Sequence, residues 1–319
     1  MTATALELVL MIEGQQGLTW GLWQRLARAA EEGGFDGLFR SDHLTELFGD
    51  AGRPVLDTWT SLAWLATGSR RIRFGPLVCP MTFYHPAILA KQAAAIDLLS
   101  GGRLDLGIGA GWNEAEHRMF GLPFPALRER MDRLDCGARA IRALWQGEEA
   151  VSLDQPYYRL VGARAEPRPT RGSVPLIIGG RGERRTLRAV AIYADEWNVT
   201  RLTFQEYPAK RRILDEHCRA VRRDPATIRR SLMVPIIVGR SEAEVRVRRD
   251  RARALFPTVP DDAGGWKAAG FLHGTPAEIR QDLARWHELG VQRVMLQLID
   301  MEDFAAIDLI AREVLPAFR

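Results

Sequence analysis

Short runs of β-branched and other apolar residues alternate with longer amphipathic stretches along the whole chain. Residues 6–12 have the character of a strand, and residues 19–32 have helical spacing, with Thr19 in the position of an N-cap. The further strand-like runs are residues 35–41, 72–78, 104–108, 174–178, 197–200, 228–238 and 291–298. Eight strands that alternate with helices require parallel pairing with right-handed crossovers. Since the composition does not break anywhere, we predict one α/β domain over residues 1–319, and a closed (β/α)8 TIM barrel rather than an open doubly wound sheet.

One stretch interrupts this alternation. It contains Pro156, Tyr157, Tyr158, Pro167 and Pro169. Prolines and aromatic residues in this mixture are typical of turns and short edge strands. We therefore predict an inserted hairpin and loop at about residues 149–172, after which the alternation resumes.

The composition limits the classes of function. An apolar content of 46% with 26% charged residues is that of a globular protein with a sizeable core. The three cysteines are an odd number without CxxC spacing, which argues against a disulfide framework or a thiolate zinc site and favours a reducing, cytoplasmic setting. The 44 basic residues include only three lysines and are scattered among 40 acidic residues. The net charge of +4 therefore does not indicate a stripe that binds nucleic acid.

Several motifs that would point to other functions are missing from the sequence. We find neither a secretion signal nor an apolar run of about 18 residues. There is also no HExxH motif, no nucleophile elbow and no carboxylate cluster with the spacing of metal ligands. We expect a small-molecule substrate, with no metal, membrane or nucleic-acid partner.

In a barrel of this kind, the functional residues lie at the carboxyl ends of the strands. The first predicted strand ends at Glu13, and the second ends in Arg40, Ser41, Asp42 and His43. Arg40 and Asp42 share one side of their strand, and if that side is the barrel interior they can pair with each other and with Glu13. Such a network also has a purely structural interpretation, as ion pairs that close the barrel mouth. His43 adds an imidazole that can hold or release a proton near neutral pH.

Two glycine-rich strand ends are candidates for contact with a cofactor. Residues 107–111 have the spacing GxGxG, and the next helix is delayed past Pro123, so a Rossmann phosphate site is not expected there. Small residues at this strand end do allow a flat ring to approach the backbone closely. Residues 179–182 form a glycine turn between a strand and a helix and are the stronger phosphate candidate. Glycines at such a turn also have a purely conformational explanation.

Further short pieces occur in one order between residues 10 and 200: 33–36 with 41–43, 85–86, 99–103, 107–116, 123–124, 128–130, 178–180 and 194–198. In this combination the chain resembles the bacterial luciferase-like superfamily, particularly the branch that uses a deazaflavin, coenzyme F420. Each piece alone is weakly specific, and the combination is highly specific. The last third of the chain carries only the general barrel pattern.

The resemblance implies a (β/α)8 barrel with an inserted segment, which holds a reduced flavin or deazaflavin in its mouth and forms a homodimer. The cofactor contacts that it implies are Asp42, Leu77, Val78, Cys79, Asn113, Gly179, Gly180, Thr200 and Arg201. A bulge with a non-proline cis peptide bond is expected near residues 76–79, behind the ring. The cofactor phosphate is expected on the glycine turn. Asp42 and His43 match the family's polar pair beside the ring, and together with Glu13 they are the residues expected to be catalytic.

One position departs from the family. A sugar-phosphate dehydrogenase of this family carries a catalytic glutamate where this chain has Trp112. Because an indole cannot exchange that proton, sugar-phosphate oxidation is in doubt. The broad face of Trp112 is suited instead to cover the ring or an apolar substrate. Glu13 is then the carboxylate that we expect as a proton partner.

Three functions remain open on these observations. In the first, a hydride passes between coenzyme F420 and an activated alkene, imine, carbonyl or alcohol, with His43 or Glu13 handling a proton. A separate reductase or dehydrogenase would recycle the cofactor. In the second, the chain is a two-component monooxygenase that uses reduced FMN and oxygen under a lid that begins at Ala51 or Asp261. In the third, the barrel has kept only a binding or structural role. The Ser-Asp-His segment and the glycine turn favour the deazaflavin.

Overall fold

The computed structural model describes residues 5–49, 52–147 and 149–319, and Ala51 lies outside these ranges. The strands of the described residues are β1 (Glu7–Ile12), β2 (Gly37–Arg40), β3 (Arg73–Pro76), β4 (Cys79–Pro80), β5 (Leu106–Gly109), β6 (Val151–Asp154), β7 (Arg159–Ala163), β8 (Leu176–Gly179), β9 (Glu196–Thr200), β10 (Arg229–Val238), β11 (Leu272–Gly274) and β12 (Arg293–Leu298). The α-helices are α1 (Trp20–Glu32), α2 (Thr58–Gly68), α3 (Pro86–Ser100), α4 (Glu114–Met119), α5 (Leu127–Gln146), α6 (Thr186–Tyr193), α7 (Tyr207–Ala220), α8 (Glu242–Leu255), α9 (Ala263–Ala268), α10 (Pro276–Glu288) and α11 (Phe304–Glu313).

The main sheet is parallel and closes on itself. Its strands follow the order β3, β2, β1, β12, β10, β9, β8, β5, β4. The two ends of this path, β3 and β4, are consecutive pieces of one barrel strand, and a parallel bridge between Phe74 and Leu104 joins β3 to the segment that leads into β5. Eight barrel strands, each followed by helix, therefore confirm the predicted (β/α)8 barrel.

The third barrel strand is interrupted where the sequence predicts one continuous run over residues 72–78. Strand β3 ends at Pro76, the peptide bond between Leu77 and Val78 is cis, and β4 begins at Cys79. The interruption lies at the carboxyl end of the strand, on the face of the barrel where the candidate residues gather. The non-proline cis bond occurs where the family resemblance implies it.

Side-chain N-caps stabilise the starts of helices α1 and α11. The hydroxyl of Thr19 accepts from the backbone N–H of Leu22 at 3.2 Å, and a carboxylate oxygen of Asp303 accepts from the N–H of Ala306 at 2.9 Å. Thr19 is the N-cap that the sequence analysis predicts, and Asp303 has the same role at the start of α11. Among the helices of the described ranges, none combines the length and the apolar character needed to cross a membrane.

The chain carries two insertions in addition to the barrel. Strands β6 and β7 form the predicted antiparallel hairpin, whose buried Tyr158 donates from its hydroxyl to the carbonyl of Met81 at 3.3 Å, just beyond β4. The second insertion comprises α8, α9 and β11, and β11 pairs with the last residues of β10, Ile236 to Val238. It extends the barrel wall on the face where the strands end. The sequence analysis predicted neither α9 nor β11.

The interior of the barrel is layered along its axis. At the amino ends of the strands, the fully buried Arg293 donates to Glu7 at 2.7 Å, to Asp105 at 2.9 Å and to Glu196 at 2.9 Å. Burial alone would lower the pKa of this guanidinium, but the surrounding carboxylates raise it instead. The layer above is apolar and consists of Val9, Met11, Phe39, Leu77, Ile177 and Met295. The carboxyl ends of the strands lie beyond this layer and form the mouth.

Candidate functional site

Glu13 stands at the end of β1, where the barrel mouth begins. Its side chain is almost fully buried, and the amide of Gln15 donates to one carboxylate oxygen at 2.8 Å. The amide of Gln297, from β12, donates to the other oxygen. Two amide donors therefore hold the two oxygens of this side chain in place at the mouth. The sequence analysis predicted Glu13 but missed Gln297, which is 284 residues away in sequence.

The expected interior pairing of Arg40 with Asp42 and Glu13 is not what the structure shows. Arg40 is fully buried on the outside of the barrel wall, where its guanidinium donates to the hydroxyl of Ser61 at 2.7 Å and to the carbonyl of Leu56 at 2.8 Å. Burial lowers the pKa of Arg40 to about 10. The physical reason is strand alternation, since Phe39 belongs to the interior layer and its neighbour Arg40 therefore points outward.

Asp42 is buried behind the mouth. Its carboxylate accepts from the hydroxyl of Tyr84 at 2.9 Å and lies against the thiol of Cys79. Burial raises the pKa of Asp42, although the hydrogen bonds from Cys79 and Tyr84 oppose the shift. Burial also raises the pKa of the Cys79 thiol well above its ordinary value, and this side chain does not reach solvent. Tyr84 is a member of this cluster that the sequence analysis did not identify.

His43 and Trp112 stand at the rim of the mouth. The Nδ1 atom of His43 lies 2.9 Å from a carboxylate oxygen of Glu116, and the Trp112 ring meets the His43 ring edge-on, with 5.7 Å between centroids. Trp112 is 65% exposed, so it is the side chain of this group that is freest to contact a bound molecule. Glu116 belongs to α4, a short helix that the sequence analysis did not predict.

Leu77 and Val78 form the wall on which the resemblance places a ring. Leu77 is buried in the apolar layer, whereas Val78 is half-buried and packs over three glycines of neighbouring strands. A Cβ atom added to Gly107, Gly109 or Gly179 would lie 2.9, 2.7 or 3.1 Å from a methyl carbon of Val78. The space above these glycines is therefore filled by Val78, which corrects the expectation that they let a flat ring approach their own backbone.

The glycine turn follows β8. Gly180 has a φ of 131°, and its N–H donates to the carbonyl of Asn198 at 3.0 Å. The hydroxyl of Thr200, at the end of the neighbouring strand β9, is buried and has no hydrogen-bond partner among the described residues. Arg201 follows in the left-handed region with a φ of 55°, and its carbonyl accepts from the guanidinium of Arg181 at 3.1 Å. Helix α6 begins only at Thr186.

Asn113 has a local role in the structure. Its side-chain oxygen accepts from the N–H of Ala115 at 3.1 Å, so Asn113 is the N-cap of α4. A contact with a cofactor would have to come from its amide nitrogen.

Beside the mouth, a cavity of about 290 Å³ lies between the loops after β1 and β12 and the end of α8. It is lined by Gln16, Gly17, Leu22, Arg53, Leu255, Phe256, Ile299, Asp300, Met301 and Glu302.

Comparisons with known proteins place this geometry in a family. The sequence model of the family described as luciferase-like monooxygenase matches residues 12–273. The chain is 39% identical over 165 residues to an F420-dependent glucose-6-phosphate dehydrogenase of Nakamurella multipartita, covering 50% of this chain and 47% of that protein. It is 33% identical over 189 residues to an uncharacterized protein of Mycobacterium tuberculosis, covering 54% and 66%. The chain thus spans between about half and two thirds of the length of these curated relatives.

Solved structures share the fold over nearly the whole chain. An F420-dependent secondary alcohol dehydrogenase in complex with an F420–acetone adduct aligns with a TM-score of 0.83 at 20% identity, over 99% of each chain. A coenzyme F420-dependent tetrahydromethanopterin reductase from Methanopyrus kandleri aligns with a TM-score of 0.80 at 19% identity, over 100% of each. Because the family match runs from the end of β1 to β11, the chain belongs to the luciferase-like monooxygenase family.

Proposed function

We propose that this chain is an oxidoreductase that transfers a hydride between coenzyme F420, held in the barrel mouth, and a small organic substrate with an activated alkene, imine, carbonyl or alcohol group. When bound, the deazaflavin supplies or accepts the hydride. The relatives named as F420-dependent dehydrogenases, which match about half of this chain, support the choice of cofactor. We do not propose sugar-phosphate oxidation, because Trp112 stands in place of the family's catalytic glutamate.

The observation that carries the proposal is the hydroxyl of Thr200, which has no hydrogen-bond partner in the described part of the chain. A buried hydroxyl without a partner is unfavourable by about 1–3 kcal/mol, so its retention beside a glycine turn fits a ligand oxygen. In our proposal Thr200 donates to the cofactor phosphate at the glycine turn, on the side of Gly180, where Val78 does not fill the space as it does above Gly179. Arg201 and Arg181 add positive charge at the same place.

Other side chains at the mouth have separate roles in this proposal. Val78 and Leu77 back the ring and exclude water from that side. Trp112 covers the reacting face from the rim. His43 and Glu13 lie on the side of the mouth formed by β1 and β2, where either side chain can exchange a proton with the substrate. Asp42 is buried behind them, so we assign it the support of this wall rather than direct contact with the cofactor.

Charge beyond the glycine turn favours the deazaflavin over FMN. The guanidinium of Arg185 donates to the carbonyl of Arg128 at 3.0 Å and pairs with Asp132, and Arg184 is exposed between Arg181 and Arg185. FMN ends at its phosphate, whereas coenzyme F420 continues past the phosphate into a chain of glutamates. An arginine-rich surface next to the phosphate turn suits this longer, acidic molecule.

Equilibrium titration of the cofactor-free protein tests the proposal. Fluorescence is followed as coenzyme F420, or separately FMN, is added to the wild type and to the Thr200→Val and Thr60→Val variants. Thr60 is exposed on α2 and serves as the matched control. Loss of a hydrogen bond to a charged group is worth about 1.5–3 kcal/mol, so we expect Thr200→Val to weaken F420 binding roughly 10- to 100-fold while Thr60→Val leaves it unchanged.

Two outcomes would contradict this reasoning. Tighter binding of FMN than of F420 would support the two-component monooxygenase instead, and the substrate search would move to oxygen-dependent reactions. Equal F420 affinity in the wild type and the Thr200→Val variant would remove the phosphate assignment from Thr200. Absence of binding by either cofactor would favour a barrel that has kept only a binding or structural role.

We also propose that the chain is a homodimer that works in the cytoplasm with a separate reductase or dehydrogenase for cofactor recycling. Helix α3 exposes Ile88 by 56% and Leu99 by 52%, which is an apolar surface suited to pairing. We expect Ile88→Lys to shift the sedimentation coefficient to that of a monomer. Val161→Lys, at a still more exposed position on the hairpin strand β7, is the control and should leave the dimer intact. A monomeric wild type would end this proposal.

A further inference from the structure

Glu116 is fully buried although it belongs to a short surface helix. One of its carboxylate oxygens lies 2.9 Å from Nδ1 of His43, and the other accepts from the backbone N–H of Leu44 at 3.1 Å. The carboxylate therefore holds both the imidazole ring of His43 and the backbone N–H of the next residue, Leu44. A carboxylate has no hydrogen to donate, so the hydrogen between Glu116 and His43 belongs to Nδ1 of the imidazole.

The second ring nitrogen of His43 is left free. Its Nε2 atom makes no hydrogen bond within residues 5–49, 52–147 and 149–319 and is not among the fully buried polar atoms. Trp112 meets the same ring edge-on at the rim of the mouth. With Nδ1 committed to Glu116, Nε2 is the atom through which His43 meets a molecule in the mouth.

Three carboxylates from three segments act on this imidazole. Glu116 comes from α4, Glu13 from the end of β1, and Asp42 immediately precedes His43. Burial lowers the pKa of His43, but the hydrogen bond and charge of Glu116, followed by the charges of Glu13 and Asp42, outweigh it and raise the pKa. The environment therefore favours the protonated ring.

We propose that Glu116 is a positioning residue that holds His43, with Nε2 toward the mouth, as the proton donor of substrate reduction. The direction rests on the proposed function. In that direction His43 Nε2 would give its proton to the double bond of the substrate, and the imidazole would become neutral while Nδ1 stays bonded to Glu116. A bound reduced deazaflavin would supply the hydride and would be oxidised by two electrons.

The test is an NMR titration of the six histidines in the cofactor-free protein, with nitrogen-15 detection of each imidazole. In the wild type we expect His43 to keep its proton to higher pH than an unperturbed histidine and to carry it on Nδ1 when neutral. In Glu116→Gln we expect its midpoint to fall by about one pH unit or more, which is the size of effect of an opposite charge at this distance. Glu114→Gln, an exposed position of the same helix, should leave the midpoint unchanged.

The result that overturns the proposal is a neutral His43 with its proton on Nε2, or a midpoint that does not move in Glu116→Gln. The wild-type measurement stands alone if that variant does not fold. Because the titration needs no cofactor, it also separates the two proposals. A confirmed His43–Glu116 pair together with failure to bind F420 would reject the proposed function and keep the positioning role.

Discussion

Alanine substitutions at the three glycines under Val78 give a graded test of how the mouth is built. A Cβ atom at Gly179 would lie 3.1 Å from Val78, and one at Gly109 would lie 2.7 Å away. One at Gly107 would overlap the carbonyl oxygen of Pro76 as well as approach Val78. Ordinary carbon contacts are about 3.5–4.0 Å, so the required displacement grows in this order.

The expected loss of stability follows the same order. Overpacking typically costs about 1–3 kcal/mol, and we expect Gly109→Ala within this range and Gly107→Ala at or above its upper end. Gly179→Ala should be close to neutral, because a small adjustment of Val78 is offset by about 0.5–1 kcal/mol from removing a flexible glycine from a strand. Val78→Ala alone deletes two half-buried methyl groups and should cost about 1 kcal/mol.

A double-mutant cycle then identifies which atoms collide with each added Cβ atom. Combining Val78→Ala with Gly109→Ala should recover about 1–2 kcal/mol, because the colliding methyl group is gone. Combining Val78→Ala with Gly107→Ala should recover little of the lost stability, since the carbonyl oxygen of Pro76 still blocks the added Cβ atom. Urea unfolding followed by tryptophan fluorescence measures each free energy. A coupling below about 0.5 kcal/mol between Val78 and Gly109 would refute the assignment of Val78 to this space.

Two further substitutions test the buried charges. Arg293→Met should destabilise the fold in urea unfolding by an amount near the lower end of about 3–5 kcal/mol, because the buried Asp105 and Glu196 would lose the cation they share and keep only Arg73 and Arg229. A change under about 1 kcal/mol would contradict this. Asp42→Asn should raise the thermal midpoint at pH 8. Burial raises the pKa of Asp42 in the folded state, so its contribution to stability is full below the unfolded value of about 3.9 and is lost as the pH rises through the folded value. The advantage of Asp42→Asn should therefore shrink as the pH falls toward 4, and a constant advantage would speak against burial as the cause.

The barrel was predictable because its signal is spread over the whole chain. Each of the eight barrel strands has its own apolar run, and errors at single boundaries do not change the count. Helix α9 was not predicted because it contains Gly264 and Gly265, which disfavour helix in isolation. Tertiary structure overrides this preference through the buried Trp266 and the Asp262 cap, whose carboxylate accepts from Gly265 at 2.8 Å.

The candidate site was predictable only in its first members. Glu13, Asp42 and His43 follow strands directly, so the barrel rule finds them from sequence. Their partners Tyr84, Gln297 and Glu116 lie 42 to 284 residues away, and no local pattern connects them. The reversed orientation of Arg40 has a similar origin, because a strand's inward face depends on the whole barrel and not on the strand alone.

The apolar layer of the barrel separates two groups of charges that lie on the same strands. Glu7 and Arg293 hold the amino ends of β1 and β12 together, whereas Glu13 and Gln297 stand at their carboxyl ends. Six residues of extended chain separate Glu7 from Glu13, which is about 20 Å. At an effective dielectric constant of about 20, two unit charges interact over this distance by under about 1 kcal/mol, compared with about 4 kcal/mol at 4 Å. The two ends are therefore only weakly coupled electrostatically. On the proposed function, a proton that enters or leaves the mouth would change the energy of the ion pairs at the amino ends by under about 1 kcal/mol.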